Sequence, residues 1–396
     1  MSMTTGPAVN NNLGSSAATA SAAAAPAPKT VPSTPALLAA MLRSAPKISD
    51  LFFTPGKPPM VEVNGRLSPV GARSLSPDDT RQITSELLGN NQHAIENLRE
   101  QGSCDVSYSL PGASRFRVNV FMQRGSCVIV MRVIPGKIPS FEELNLPVEL
   151  RNIVGLRNGI VLVTGPTGSG KSSTLAAIID LINKQHSFHI LTIEDPIEFL
   201  HPHQNCIVHQ RELHSDTTSF ALALRAALRQ APKVILVGEM RDRETIEIAM
   251  EAAETGHLVM STLHTIDASK TVERIVGVFP LAEQHAIRNR LAKSFRYIIS
   301  QRLIPRKDGS GRVAALEVLK STLRTREYVE KGESEGKTLL DAMRVGTTEG
   351  MQHFDAEIEK LIRAATINID TGMAYATNPG NLRLELADFT PPQEQP

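Results

Sequence analysis

The sequence predicts an α/β protein with a P-loop nucleotide-binding domain and a smaller α+β domain ahead of it. Gly165-Pro166-Thr167-Gly168-Ser169-Gly170-Lys171-Ser172 fits the pattern G-x-x-x-x-G-K-[ST] in full. Around it, continuous apolar runs alternate with amphipathic stretches, which implies a parallel sheet covered by helices on both faces. Pro135-Gly136-Lys137-Ile138-Pro139 then separates this pattern from shorter, mixed elements on its N-terminal side.

A chain of 396 residues accommodates two domains, and 41% hydrophobic residues supply a large core. Lys and Arg number 42 against 41 Asp and Glu, a formal net charge of +1. Nothing in that balance argues for bulk binding to nucleic acid or to an anionic membrane surface. Cys104, Cys127 and Cys206 are scattered and odd in number, which fits a reducing cytoplasm better than a disulfide framework. No apolar run reaches the ~18 residues of a membrane span, and the N-terminus lacks the basic and apolar regions of a secretory signal. Any membrane association is therefore expected through a partner, not by insertion.

Residues 1–34 are Ala, Ser, Thr, Asn and Pro with few large apolar side chains, and are expected to be a disordered extension. Pro391-Pro392-Gln393-Glu394-Gln395-Pro396 reads the same way, within a C-terminal tail over 371–396. Residues 35–134 form the first domain. Residues 37–42 begin a helix; residues 50–53 and 60–63 are strands broken by Thr54-Pro55-Gly56; residues 78–88 are helical, with Ser76 and Asp78 as caps. Residues 115–119 and 128–134 have the β-branched content of paired strands. A linker over 135–150 leads to the nucleotide-binding domain over 151–370. There strands are expected at 159–164, 189–193, 234–237 and 258–263, and helices at 171–184, 217–230 and 243–254. Further helices are expected at 281–303 and 355–365.

The glycines of the loop let backbone N–H groups curl around phosphate oxygens, and the following helix points its positive end at the anion. Lys171 reaches for the β- and γ-phosphates, and the Ser172 hydroxyl is the expected Mg²⁺ ligand. Ser173 is counted with Gly165 to Ser172 among the nucleotide-binding residues. No Asn/Thr-Lys-x-Asp guanine motif is present, so ATP is the expected nucleotide.

In a doubly wound sheet, ligands bind at the carboxyl ends of the strands. Three more strands end there in polar clusters: Glu194-Asp195-Pro196-Ile197-Glu198, Gly238-Glu239-Met240-Arg241-Asp242 and Thr262-Leu263-His264-Thr265. Singly, such a carboxylate is usually a helix cap and such a histidine a structural residue. Together, the topology brings them to the edge that carries Lys171. Glu239 is assigned to water activation and Mg²⁺ positioning, Glu194 is the second acidic site residue, and His264 is placed to sense the γ-phosphate. Asp195 is an additional candidate. His257 either simply starts its strand or acts as a ligand. His201 and His203 resemble a metal pair without a third ligand at useful spacing, and are read as a loop.

Arg115, Arg117 and Arg132 stand on adjacent strands of the first domain, with Arg124 in the turn between them. The plain reading is a solvated strand face. The functional one is that Arg117 and Arg132 bring positive charge to a γ-phosphate as arginine fingers, with Arg115 and Arg124 as additional candidates. If a neighbouring subunit donates them, nucleotide joins subunits and sets the domain angle.

These residues carry a resemblance. Gly165 to Ser172, Thr192-Ile193-Glu194-Asp195-Pro196-Ile197-Glu198, Leu228-Arg229-Gln230, residues 234–242 and Thr255-Gly256-His257 with residues up to Thr265 resemble the secretion ATPase superfamily. Within it the chain looks most like the type IV pilus retraction ATPases, the twitching-motility PilT family. Ile48-Ser49-Asp50-Leu51, Pro58-Pro59-Met60, residues 115–119, Asn145-Leu146-Pro147 and Gly350-Met351-Gln352 extend the match to residues 35–370. The resemblance implies a PAS-like N-terminal domain joined to a RecA-like ATPase domain in a cytoplasmic homo-hexamer. That ring would be peripheral to the inner face of the cytoplasmic membrane and would act on a platform protein and the pilus machinery. It implies Glu194 in an Asp box, Glu239 in Walker B, His257 and His264 in a His box, and fingers at Arg117 and Arg132. Extension-type relatives carry a four-cysteine zinc motif where residues 301–317 have no cysteine, which favours the retraction branch.

Two stretches depart from that family. The usual Ala-Ile-Arg-Asn-Leu-Ile-Arg-Glu is here Ser321-Thr322-Leu323-Arg324-Thr325-Arg326-Glu327-Tyr328, and Asp-Pro-Asp is here Ala231-Pro232-Lys233. The expectation is an ATP-driven retraction motor. Its rivals are an accessory paralogue, a secretion or competence ATPase, and a nucleotide-gated regulatory module with little turnover.

Overall fold

The computed structural model describes residues 32–389. The expected disorder of the N-terminal extension falls almost wholly outside them, as does that of residues 391–396. At the boundary, Thr34 opens a helix and is itself buried.

The N-terminal part is an antiparallel sheet with helices packed on it. Its elements run α1 (Thr34–Ser44), β1 (Ile48–Phe53), β2 (Met60–Val63), β3 (Arg66–Pro69), α2 (Pro77–Leu88), α3 (Gln92–Glu100), β4 (Ser103–Leu110), β5 (Ser114–Gln123) and β6 (Ser126–Ile134). The strand order is β3-β2-β1-β6-β5-β4. Ser76 caps α2 in a capping box closed by Asp79, so Asp78, expected as a cap, is instead an exposed first-turn residue. Leu38, Met41, Phe53, Phe116, Val118 and Met131 are fully buried between the helices and one face of the sheet. Each such side chain contributes about 1.5–3 kcal/mol. On β5 those buried positions alternate with Arg115, Arg117 and Asn119, which puts the arginines on the opposite face.

The second part is a seven-stranded sheet. It begins after a 3₁₀ turn at Val148–Gly155 with β7 (Gly159–Thr164), α4 (Lys171–Gln185), β8 (His189–Glu194) and β9 (Ile207–Glu212). It continues with α5 (Phe220–Ala227), β10 (Val234–Val237), α6 (Arg243–Glu254), β11 (Leu258–Leu263), α7 (Ala268–Gly277), α8 (Leu281–Ser294), β12 (Phe295–Pro305) and β13 (Arg312–Lys320). The order is β13-β12-β7-β11-β10-β8-β9, parallel except for the β12–β13 pair. Ile160 and Leu162 pack into one apolar cluster and Val161 and Val163 into another. Both faces of β7 are thus covered, which is why its sequence is continuously apolar. This mixed α/β architecture, a RecA-like P-loop domain behind a smaller PAS-like α+β domain, is the one expected.

Three further expectations are corrected. Residues 295–303 are not helical: α8 stops at Ser294, and the Tyr297-Ile298-Ile299 run pairs with β7 and β13. Sheet pairing on both sides wins over helical continuation there. The helix expected from residue 217 starts at Phe220, because the Ser219 side chain accepts the Leu222 N–H as an N-cap. Residues 371–389 are not a bare tail. After α9 (Leu323–Lys331), α10 (Leu339–Val345) and α11 (Phe354–Arg363) come α12 (Ile369–Tyr375) and α13 (Pro379–Glu385). Leu382 and Leu386 are buried with Ile304, Val313 and Phe354 on the β12–β13 edge.

Candidate active site at the strand ends

β7 ends at Thr164 and the chain enters the glycine loop. Gly165, Gly168 and Gly170 have φ of +143°, +78° and +90°. A Cβ on Gly165 would lie 2.5 Å from the Gln301 carbonyl oxygen and 2.6 Å from Ser169 Oγ, and one on Gly170 would lie 2.8 Å from Gln301 Nε2. The two positions need glycine for space as well as for conformation. Gln301, on the neighbouring β12, therefore braces the loop, and its Oε1 accepts a 2.8 Å bond from Thr174 Oγ1 on α4.

Lys171 begins α4 and is buried. Its Nζ donates to the carbonyls of Gly165 at 2.9 Å and Pro166 at 3.0 Å. Burial lowers its pKa, opposed by the carboxylates of Glu198 and Glu239. Carbonyls satisfy its hydrogen bonds without neutralising its charge, so the loop presents a positive site.

A cleft of about 590 Å³ opens over this loop. Thr167, Gly168, Gly170, Lys171, Ser172 and Ser173 form its floor. The ends of the neighbouring strands add Glu194 and Asp195 from β8, Glu239 from β10, and His264 from β11. Arg117 of β5 closes it from the N-terminal part. Gly165, Pro166 and Ser169, also expected to bind nucleotide, do not line the cleft: the carbonyls of the first two accept from Lys171, and the Ser169 hydroxyl is buried with no bonding partner.

The two glutamates have different surroundings. Burial pushes the Glu194 pKa up, against hydrogen bonds from Thr192 Oγ1 at 2.6 Å, Gln210 Nε2 at 3.0 Å and the Glu198 N–H at 3.4 Å. Glu239 pairs with Arg241, Nε to Oε1 at 2.7 Å, and lies 3.5 Å from His264 Nε2. Hard oxygen donors in the same cleft, the Ser172 hydroxyl and the Glu239 carboxylate, suit a small divalent cation, and the glycine cradle suits a phosphate.

Other expected residues stand elsewhere. Arg132 is the cross-strand partner of Arg117, but its Nε bonds Asp50 Oδ1 at 3.0 Å and it does not line the cleft. Arg115 is bound to Glu212 at 2.7 Å. Arg124 sits in the β5–β6 turn with φ +50° and is also outside. His257 precedes β11, at the opposite end of that strand from His264, with Nδ1 3.0 Å from the Ala252 carbonyl oxygen. It is not brought to the site.

Three contributors, Arg241, Gln301 and Arg312, are not singled out by the sequence, and a fourth, His201, is read there only as part of a loop. Arg241 holds Glu239, and Gln301 braces the loop. Arg312 on β13 reaches the Gly168 carbonyl at 3.4 Å. His201 is buried on the cleft wall with Nδ1 unpartnered, and burial pushes its pKa down to about 4. Only contacts between distant strands mark Gln301 and Arg312, so no local signal reveals them. Arg241, two positions after Glu239 in a quoted motif, was within reach. Among the described residues, no group of three or more His, Cys, Asp or Glu is arranged to hold a metal, and no helix is long and apolar enough to cross a membrane.

Comparison with known proteins fits this site. Residues 60–384 match the family model described as Type II/IV secretion system protein. The chain is 42% identical to the Type IV pilus retractation ATPase PilT of Pseudomonas aeruginosa, over 84% of this chain and 95% of that protein. It is also 42% identical to the Type IV pilus ATPase PilU of the same organism, over 85% and 87%. Among solved structures, the pilus retraction motor PilT with bound ADP superimposes with a TM-score of 0.79 at 40% identity, covering 89% of this chain and 99% of that one. The Legionella pneumophila ATPase DotB follows at 0.75 and 31%, covering 92% and 98%. With a phosphate loop, acidic strand ends and this likeness along most of its length, the chain belongs to the Type II/IV secretion system protein family and is a nucleotide-binding ATPase.

Proposed function

We propose that this chain is the subunit of a homo-hexameric ring that hydrolyses ATP with Mg²⁺ to retract type IV pili. The ring would work in the cytoplasm at the inner face of the membrane and deliver force to a platform protein. The observation that carries this reading is the convergence of Lys171, Glu194, Glu239, His264 and Arg117 on one cleft, in a chain 42% identical to a pilus retraction ATPase.

In this mechanism the glycine loop and Lys171 hold the β- and γ-phosphates. Ser172 and Glu239 would hold Mg²⁺, which supplies charge neutralisation on the phosphates when bound. Glu239 orients the attacking water, His264 reads the γ-phosphate, and Arg117 stabilises charge on the transferring group. Arg117 belongs to the N-terminal sheet, so its approach ties nucleotide state to the angle between the two parts. Asp195 lines the same cleft beside Glu194.

An accessory pilus ATPase is a second reading. It is favoured by the equal identity to PilU and by the departures at 321–328 and Ala231-Pro232-Lys233. A deletion strain tests the retraction reading: surface pili are expected to be abundant and twitching lost. Unchanged pilus number and motility would overturn it. Steady-state ATPase activity of the purified chain, measured with particle size, tests the ring and separates an engine from a regulatory module.

A further inference from the structure

Glu212 closes β9 and stands in register with Glu194 at the end of β8. The two carboxylates are adjacent and buried, but they face different partners. Glu212 Oε2 accepts from Arg115 Nη2 at 2.7 Å, Ser107 Oγ at 2.9 Å and the Ile197 N–H at 3.0 Å. Arg115 and Ser107 belong to the N-terminal sheet, on the adjacent strands β5 and β4. Ile197 lies in the segment between Glu194 and Glu198, and the Glu198 N–H bonds back to Glu194. One oxygen thus joins the N-terminal sheet to the loop that follows an active-site glutamate.

This ion pair is secluded, with side-chain exposures of 17% for Arg115 and 5% for Glu212. Arg132 in its pair with Asp50 is 71% exposed. A secluded pair adds little net stability but fixes geometry, because losing one partner strands a charge. Arg117 is two residues along β5 from Arg115, so both side chains leave the same face of the strand, roughly 7 Å apart. Whatever holds Arg115 against the seven-stranded sheet also sets where Arg117 ends.

We infer that Arg115 and Glu212 are a positioning pair for ATP hydrolysis: they dock the N-terminal sheet so that Arg117 reaches the cleft. The inference rests on the reading that Arg117 acts on the triphosphate. Opening the pair lets the sheet swing and reduces the fraction of molecules with Arg117 in place.

A double-mutant cycle on the full-length chain tests this. Arg117→Gln is expected to lower kcat by about 10³-fold, as for loss of an arginine finger. Arg115→Gln and Glu212→Gln should each lower kcat by about 10-fold or more, with ADP affinity held within about twofold. The double variant Arg115→Gln/Arg117→Gln should be no slower than Arg117→Gln alone, because a residue that acts only through Arg117 has nothing left to position. Arg115→Lys, which keeps the charge, should recover part of the rate. Retained ADP binding shows that the ATPase part is folded in each variant. Losses that multiply in the double variant, or no loss in Arg115→Gln and Glu212→Gln, would overturn the positioning role while leaving that of Arg117 intact. An Arg117→Gln variant with wild-type turnover would remove the Arg117 reading and the inference with it.

Discussion

Arg241 Nε lies 2.7 Å from Glu239 Oε1, an ion pair formed within one loop at the end of β10. The other carboxylate oxygen is 3.5 Å from His264 Nε2, so Glu239 is oriented from two sides while it lines the cleft. Glu239→Gln keeps the shape and removes the charge. Nucleotide binding should persist and turnover should fall by about 10²–10⁴-fold, the range for loss of a positioned base. Nucleotide-binding titration beside single-turnover hydrolysis measures both. Turnover close to that of the parent would remove Glu239 from the mechanism.

The phosphate loop gives a graded prediction. An added Cβ meets Gln301 and Ser169 at position 165 and Gln301 at position 170, but nothing within 4 Å at position 168. All three positions have positive φ, so each alanine carries backbone strain of about 1–3 kcal/mol. Only Gly165→Ala and Gly170→Ala add a clash. Their ADP affinity should fall well below that of Gly168→Ala. Equal affinities in the three variants would show that the loop yields at Gln301.

Arg132 separates a role within one chain from a role between chains. Its partner Asp50 is buried while Arg132 itself is largely exposed, so Arg132→Ala takes the ion pair from a buried carboxylate, and a thermal melt is the control that the variant still folds. If it serves a neighbouring subunit's nucleotide, Arg132→Ala should lower turnover of assembled rings and spare nucleotide binding. Equal loss of turnover and binding would count against the finger role.

What was legible in the sequence follows from what is local. The glycine loop, the apolar strands β7, β8, β10 and β11, and the acidic strand ends all carry their signal within a few residues, and the topology brings Glu194, Glu239 and His264 to Lys171. His257 shares a motif with His264, but β11 separates them end to end, which the motif alone does not convey. Residues 295–303 pass for a continuation of α8 because their apolar run carries no strand signal of its own; the strand comes from pairing with β7 and β13. Gln301, Arg312 and Glu212 owe their roles to strands distant in the chain. The C-terminal helices were missed because α12 and α13 are short, and it is packing against β12 and β13 that holds them.

Glu317 on β13 gives a prediction with a sign. It is buried, and its carboxylate accepts from the Ala268 N–H at 2.8 Å and Ser300 Oγ at 3.3 Å. Ser300 in turn accepts from Thr164 Oγ1 at 3.1 Å, at the point where β7 enters the phosphate loop. Burial pushes the Glu317 pKa up to about 7, from an ordinary 4.5. A carboxyl whose folded pKa is raised stabilises the fold in its protonated form. That contribution is complete below about 4.5, shrinks as pH rises, and is gone above about 7. Charging Glu317 in the folded state therefore costs up to about 3 kcal/mol. Glu317→Gln is neutral at every pH. Relative to the parent, its melting temperature should rise between pH 5 and pH 7 and level off above, by a few degrees at about 1–2 °C per kcal/mol for a chain of this length. Thermal melts of both chains across that range make the comparison. A difference independent of pH would mean that Glu317 does not change its charge there.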